Sequence, residues 1–190
     1  KKYAIDAPVE NSWAFLQDIK AVAECMPGAE ITEKIDSTHY KGIVKVKLGP
    51  IKMAFNGDFN IADINDKNKE LHLLGKGLDN KGTSSAKMDL VAQVCANNHN
   101  QSALIARAEV TVTGKLASFG GRMLTQVSEQ ILKQFSQQFI SQVLALDSGA
   151  KAKPAQIKRQ QNSQSLNGLA LIWAVLTGFI KNIFTSRSKK

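Results

Sequence analysis

The sequence predicts an α+β domain in which a curved antiparallel sheet wraps around one long C-terminal helix, followed by a separate apolar helix. Three observations predict it. Strands of period two fill the stretch from His39 to Val112. A stripe of period three to four takes over at Lys115 and holds for about thirty residues. Beyond Asp147 the composition changes altogether.

Tyr3 to Ile5 read as the end of a short strand, and Pro8 suits the first turn of a helix, where its missing N–H costs nothing. Trp13, Leu16 and Ile19 recur at a spacing of three with Phe15 beside them, so this helix buries one face. A second short helix runs to about Cys25 and stops at Met26-Pro27-Gly28. From His39 to Leu48, Tyr40, Val44, Val46 and Leu48 point one way, and Lys41, Lys45 and Lys47 the other. Gly49-Pro50 turns the chain. Ile51, Met53, Phe55, Phe59 and Ile61 then alternate with Lys52, Asn56, Asp58 and Asn60. One dry face and one wet face describe an antiparallel sheet covered on one side. Leu71–Leu74, Ala86–Val94 and Leu104–Val112 supply three more strands, and Gly75 to Gly82, with three glycines, reads as a loop over a cavity mouth.

In the helical stretch, Leu116, Phe119, Met123, Val127, Ile131, Phe135, Phe139 and Val143 draw one apolar stripe. A single long helix with such a stripe must lie on the concave face of the sheet, which is the helix-grip arrangement. Ala106 and Ala108 share a side with Leu104 and Val110. Two readings of those alanines stand: they leave room for a pocket, or they let the helix pack closely. On the pocket reading the lining comes from Met53, Phe55, Phe59, Met88, Ala106 and Ala108 on the strands. Trp13, Phe119, Met123 and Val127 join them from the helices, with methionines as deformable walls.

Little in the sequence points to catalysis. His39, His72 and His99 read as surface residues without a ligand-spaced partner, and no metal site is expected. The nucleophile elbow, the phosphate loop and the dinucleotide fingerprint are all missing. Cys25 and Cys95, far apart, fit reduced thiols. No catalytic residue is assigned, and a cyclase or hydratase would need a polar constellation that the mostly apolar inward positions do not offer.

Charge is segregated along the chain. Residues 1–147 hold 17 Lys/Arg and 16 Asp/Glu, whereas residues 148–190 hold 8 Lys/Arg and no acid. Residues 148–165 read as a basic flexible linker. Residues 166–190 read as a membrane-associating helix with a basic end. Its apolar face is Leu169, Leu171, Ile172, Trp173, Val175, Leu176, Phe179 and Ile180, with Lys181 able to reach the lipid surface. The uncharged stretch of about eighteen residues is at the lower edge of what spans a bilayer, so spanning and lying flat both stay open. Nucleic-acid binding is not expected, because no aromatic stacking platform accompanies the tail's cations.

The chain resembles the carbon monoxide dehydrogenase G-subunit family of START-like proteins. The resemblance rests on Ala7-Pro8-Val9-Glu10, Trp13-Ala14-Phe15-Leu16 and Met26-Pro27-Gly28-Ala29-Glu30, then on Tyr40 to Ile51, Gly75 to Gly82 and Val112 to Leu124. Gly121 stands where members often carry Ser. The resemblance implies a helix-grip fold that recruits a molybdenum hydroxylase of the carbon monoxide dehydrogenase type to the cytoplasmic side of the inner membrane. It also implies an accessory protein rather than an enzyme, with no covalently bound cofactor. A cavity on a membrane tether serving a soluble oxidoreductase is placed to hold a quinone. The alternative from another class is a lipid or hydrophobic-molecule carrier without an enzyme partner.

Overall fold

The computed structural model describes residues 1–48, 51–98 and 100–149. The linker from Ala150 onward and the apolar helix with Leu169, Trp173 and Lys181 lie outside the described residues, as do the Gly49-Pro50 turn and His99. Contacts divide the chain into a unit Lys1–Ala150 and a unit Lys151–Lys190.

The first unit runs β1 (Lys2–Ile5), α1 (Val9–Gln17), α2 (Ile19–Cys25), β2 (Ala29–Lys34), β3 (His39–Leu48), β4 (Ile51–Asn65), β5 (Glu70–Asp79), β6 (Ser84–Asn98), β7 (Gln101–Gly114) and α3 (Gly121–Asp147). All seven strands form one antiparallel sheet in the order β1-β7-β6-β5-β4-β3-β2. From β3 to β7 each strand pairs with its predecessor, so the sheet is a meander. The two helices between β1 and β2 carry the chain from one sheet edge to the other.

Three expectations are corrected. Gly75 to Asp79 are not a loop: β5 continues through them, with Gly75 opposite Met88 and Gly77 opposite Gly57, and only Asn80–Thr83 turn. Glycine reads as a breaker, yet inside a strand it also marks where something approaches the backbone closely. The edge strand β2 carries too few apolar residues to be visible in the sequence. The long helix does not begin at Lys115. A 3-10 turn, Ala117–Phe119, comes first, and Gly120 at φ 78° starts α3 in a conformation that glycine adopts without strain.

The main core lies at one end of the concave face. Ile5, Trp13, Phe15, Leu16, Leu71, Val94, Leu104, Phe135, Phe139 and Val143 close together there. Phe139 is wholly buried, edge-on to Phe15 at 5.0 Å and 79°, with Phe135 5.7 Å away. Ser12 and Ser102, both buried, share a hydrogen bond of 2.7 Å that pins α1 to β7. Both cysteines are free thiols. Burial, with Glu24 adding to it, pushes the Cys25 thiol up to about 12, so it stays protonated and inert.

Two outcomes follow for the folded protein. Phe139→Ala should cost about 3–5 kcal/mol of stability in urea denaturation, against under about 1 kcal/mol for the partly exposed Leu144→Ala. Thiol titration at pH 8 should leave Cys25 untouched until denaturant is added. Rapid modification of native Cys25 would show that α2 is not docked on the core.

Candidate ligand-binding cleft

A second, smaller cluster closes the other end of the concave face. Phe55 and Leu116 are buried there, with Val46, Met53, Val112, Phe119, Met123, Leu124 and Val127 packed against them. The backbone of α3 runs close to α1, α2, β1 and the 3-10 turn rather than to the central strands. Between the two clusters, the residues that helix and sheet turn toward each other stay only partly buried or exposed. Alternation along the strands puts Phe59, Gly75, Met88, Leu90, Ala106, Ala108 and Val110 on this middle stretch of the concave face. Phe59, Met88, Leu90 and Ala106 are only half-buried, and Ala108 and Val110 are exposed, Val110 to 60%. Ile131 is half-buried on the facing helix, and none of these residues belongs to either cluster. Beyond Ile105, β7 has no strand on its outer side, since β1 pairs only with Ser102–Ile105.

The floor is kept low by glycine. A Cβ on Gly42, Gly57 or Gly75 would come within 3.2, 3.1 or 3.3 Å of the Phe59 ring, and one on Gly75 within 3.4 Å of the Met88 methyl. Phe59 therefore lies across β3, β4 and β5 instead of standing up into the cleft. Of the three, the sequence singles out only Gly75, as part of a loop. Their shared role is not legible there, because it depends on how β3, β4 and β5 pair in register.

The polar groups nearby are already engaged. Asp79, buried at the second end, accepts hydrogen bonds from the Thr83 and Ser84 N–H groups at 2.6 and 2.9 Å and from Thr83 Oγ1 at 3.0 Å. Burial works against its charge, but those bonds outweigh it and hold the carboxyl below the usual range. Ser84 Oγ accepts from the Leu116 N–H at 3.0 Å, tying the 3-10 turn to β6. Among the described residues no buried side-chain polar atom lacks a partner, and no cluster of His, Cys, Asp or Glu has the makings of a metal site.

The residues expected to line a cavity divide by place. Met53, Phe55, Phe119, Met123 and Val127 gather in the second cluster. Phe59, Met88, Ala106 and Ala108 lie on the open stretch between the clusters. Trp13 sits in the main core, its Nε1 donating to Asp66 at 2.9 Å, with the Lys69 ammonium 5.9 Å from its ring. It braces the β4–β5 turn. The expectation that no histidine has a spaced carboxylate partner is corrected: Asp36 stands three residues before His39, and the sheet register brings Asp89 to His72. His39 contacts Asp36 at 3.0 Å and His72 contacts Asp89 at 2.8 Å, both on the outside of the sheet. The N–H groups of Thr38 and His39 hold the Asp36 carboxyl well below the usual range, so that pair fixes the β2–β3 turn.

Known proteins bear on this geometry. A family model for the G subunit of carbon monoxide dehydrogenase (CoxG) matches residues 2–144. No curated protein matches the chain. Among solved structures, a conserved protein from Geobacillus kaustophilus is similar with a TM-score of 0.68 at 22% identity, covering 75% of this chain and 92% of that one. The ZhuI aromatase/cyclase of Streptomyces sp. R1128 is similar with a TM-score of 0.55 at 11% identity, covering 76% of this chain and 92% of its own. A START superfamily protein from Mycobacterium smegmatis gives 0.55 at 12%, covering 77% and 96%. At these identities the likeness establishes the fold, a START-like helix-grip, and nothing about substrate.

The cleft makes its own prediction. Ala108→Trp should fill the open stretch, leaving the melting temperature within a few degrees of the parent because no packed core is disturbed. The same change should sharply reduce the fluorescence of a bound apolar dye. An unchanged dye signal would place the binding surface elsewhere.

Proposed function

The chain belongs to the carbon monoxide dehydrogenase G-subunit family, and from that premise we propose that it is a membrane-anchoring adaptor with an apolar cleft. It recruits a molybdenum hydroxylase of the carbon monoxide dehydrogenase type to the cytoplasmic face of the inner membrane. The observation that carries the binding half of this reading is the uncovered apolar stretch between two closed clusters, floored by Phe59 over three glycines. Apolar surface left open in a domain of this size marks a place that something else covers. A quinone fits its chemistry: a flat ring on a thin floor, with methionine walls that adjust. In that role the partner enzyme delivers two electrons and the quinone leaves as quinol after taking up two protons.

A binding role is also supported by how the buried polar groups are used. Among the described residues, the buried Asp79, Ser12, Ser84 and Ser102 each make a structural hydrogen bond, so these groups hold the walls rather than face a ligand. The anchoring half rests on the sequence of residues 166–190. Among the described residues no helix is long and apolar enough to cross a membrane, and the tail is outside that set.

Liposome co-sedimentation of the full chain against a chain ending at Asp147, with native mass spectrometry of both, tests the reading. The full chain alone should pellet, and the protein from native membranes should carry a quinone. A lipid in place of the quinone, with no oxidoreductase co-purifying, would favour the carrier alternative. Two soluble, empty proteins would end the proposal.

A further inference from the structure

The sheet keeps two pairs of lysines directly opposite one another. Lys47 faces Lys52 across β3 and β4, and Lys76 faces Lys87 across β5 and β6. All four alternate away from the concave face, so both pairs lie on its convex side, toward the β3–β4 and β5–β6 turns. Like charges directly opposite destabilise a sheet. No carboxylate comes within 4.0 Å of any of the four among the described residues. Lys81 in the β5–β6 turn and Lys115 after β7 add to the same end. Seven acids share this face. Glu33 and Glu30 on the edge strand pair with Lys41 and Lys45, and Asp58 stands opposite Lys41 and Lys76 in register. The others are Asp63 and Glu70 toward the β4–β5 turn, Asp89, held by His72, and Glu109. Asp79, at the same end, is buried and fully engaged.

The domain as a whole is nearly neutral, with 17 Lys/Arg and 16 Asp/Glu over residues 1–147, so its acids gather elsewhere. Asp6, Glu10, Asp18, Glu24, Asp63 and Asp66 all belong to the opposite end, where α1, α2 and the β4–β5 turn meet. The domain is therefore a dipole whose basic end is the lysine end. A shallow groove of about 200 Å³ lies beside the Lys76–Lys87 pair on the convex face, bordered by Asn56, Asp58, Lys76, Leu78, Ser85 and Lys87. Leu78 is 53% exposed there, and Ile51, at the tip of the β3–β4 hairpin, is 42% exposed.

We propose that this lysine end is a second membrane contact, seated on anionic lipid headgroups, which fixes how the domain faces the bilayer. The inference rests on the membrane reading above. Lysine ammoniums are compact, hydrated point charges that suit a diffuse anionic plane, whereas a bidentate carboxylate partner selects arginine. Leu78, exposed among the cations, can dip into the headgroup region. The dipole turns this end toward negative potential before contact is made.

The test uses the full-length protein with Asn56→Cys and Cys95→Ser, labelled at position 56 with a fluorophore, Cys25 being unreactive. Nitroxide-headgroup lipid in mixed phosphatidylglycerol–phosphatidylcholine vesicles should quench the label, and high salt should abolish the quenching. The four changes Lys47→Glu, Lys52→Glu, Lys76→Glu and Lys87→Glu should abolish it too and weaken sedimentation at least about tenfold. The same number of changes at Lys2, Lys20, Lys67 and Lys133 should cost far less. Lys52→Glu alone should leave the melting temperature unchanged or raise it, because it converts a repulsive pair into an attractive one. Sedimentation without quenching would overturn this inference and leave the tail as sole anchor. A position-56 label that ignores the vesicles but changes its emission on adding the partner oxidoreductase would overturn the inference and assign the lysines to an acidic protein surface. A chain that ignores all vesicles would remove the membrane reading itself.

Discussion

The edge-on contact of Phe15 with Phe139 decides the shape of the domain. It fastens the C-terminal half of α3 to α1 at one end of the sheet, where Val143, Leu104 and Val94 complete a fully dry core. With that end fixed, α3 is carried over the sheet on the shoulders of α1 and α2. Its N-terminal half meets the sheet again only through the small cluster around Phe55 and Leu116. Two anchored ends and a helix that is stiff between them leave a gap that side chains from neither end can reach.

Such a gap would ordinarily be lost to collapse, because unfilled apolar space forfeits dispersion contacts. The sheet prevents it from below. Glycines at positions 42, 57 and 75 let Phe59 lie down; a bulkier residue at 57 or 75 would press on the ring, and one at 42 would also meet the Glu30 carbonyl of β2 at 2.6 Å. Hydrogen bonds fix the rim: Ser12 to Ser102 at the closed end, Asp79 to the β5–β6 turn at the other, and Ser84 to the residue that opens the 3-10 turn. These polar groups are buried and satisfied, so the energy they contribute goes into holding the walls apart. The lysine pairs on the convex side follow the opposite logic. They cost stability, which is the mark of residues kept for a partner rather than for the fold.

Much of this was legible in the sequence because it is periodic. Alternation in His39–Leu48 gave a strand with those bounds, and the stripe from Met123 to Val143 gave the helix and the face it presents. Three features were not legible, each for a physical reason. β2 has no apolar face to detect. Gly75 and Gly77 look like a turn unless the ring that lies over that stretch is known. The break before α3 is set by one positive φ at Gly120, inside an unbroken hydrophobic stripe. At the site, the strand register sets Phe59, Met88, Ala106 and Ala108 on the concave face, whereas no sequence pattern separates residues that close an end from those left between. That depends on where α3 is anchored, a long-range property.

The central claim is that the space between the two clusters, and no other part of the domain, takes an apolar ligand. The four methionines report on it by position: Met88 in the open stretch, Met53 and Met123 at the second cluster, and Met26 packed on the main core. Methyl NMR of the ¹³C-labelled methionines during titration with a short-chain quinone is the direct measurement. Met88 should shift most, Met53 and Met123 less, and Met26 should stay put. Shifts confined to Met26, or none at all, would contradict the claim.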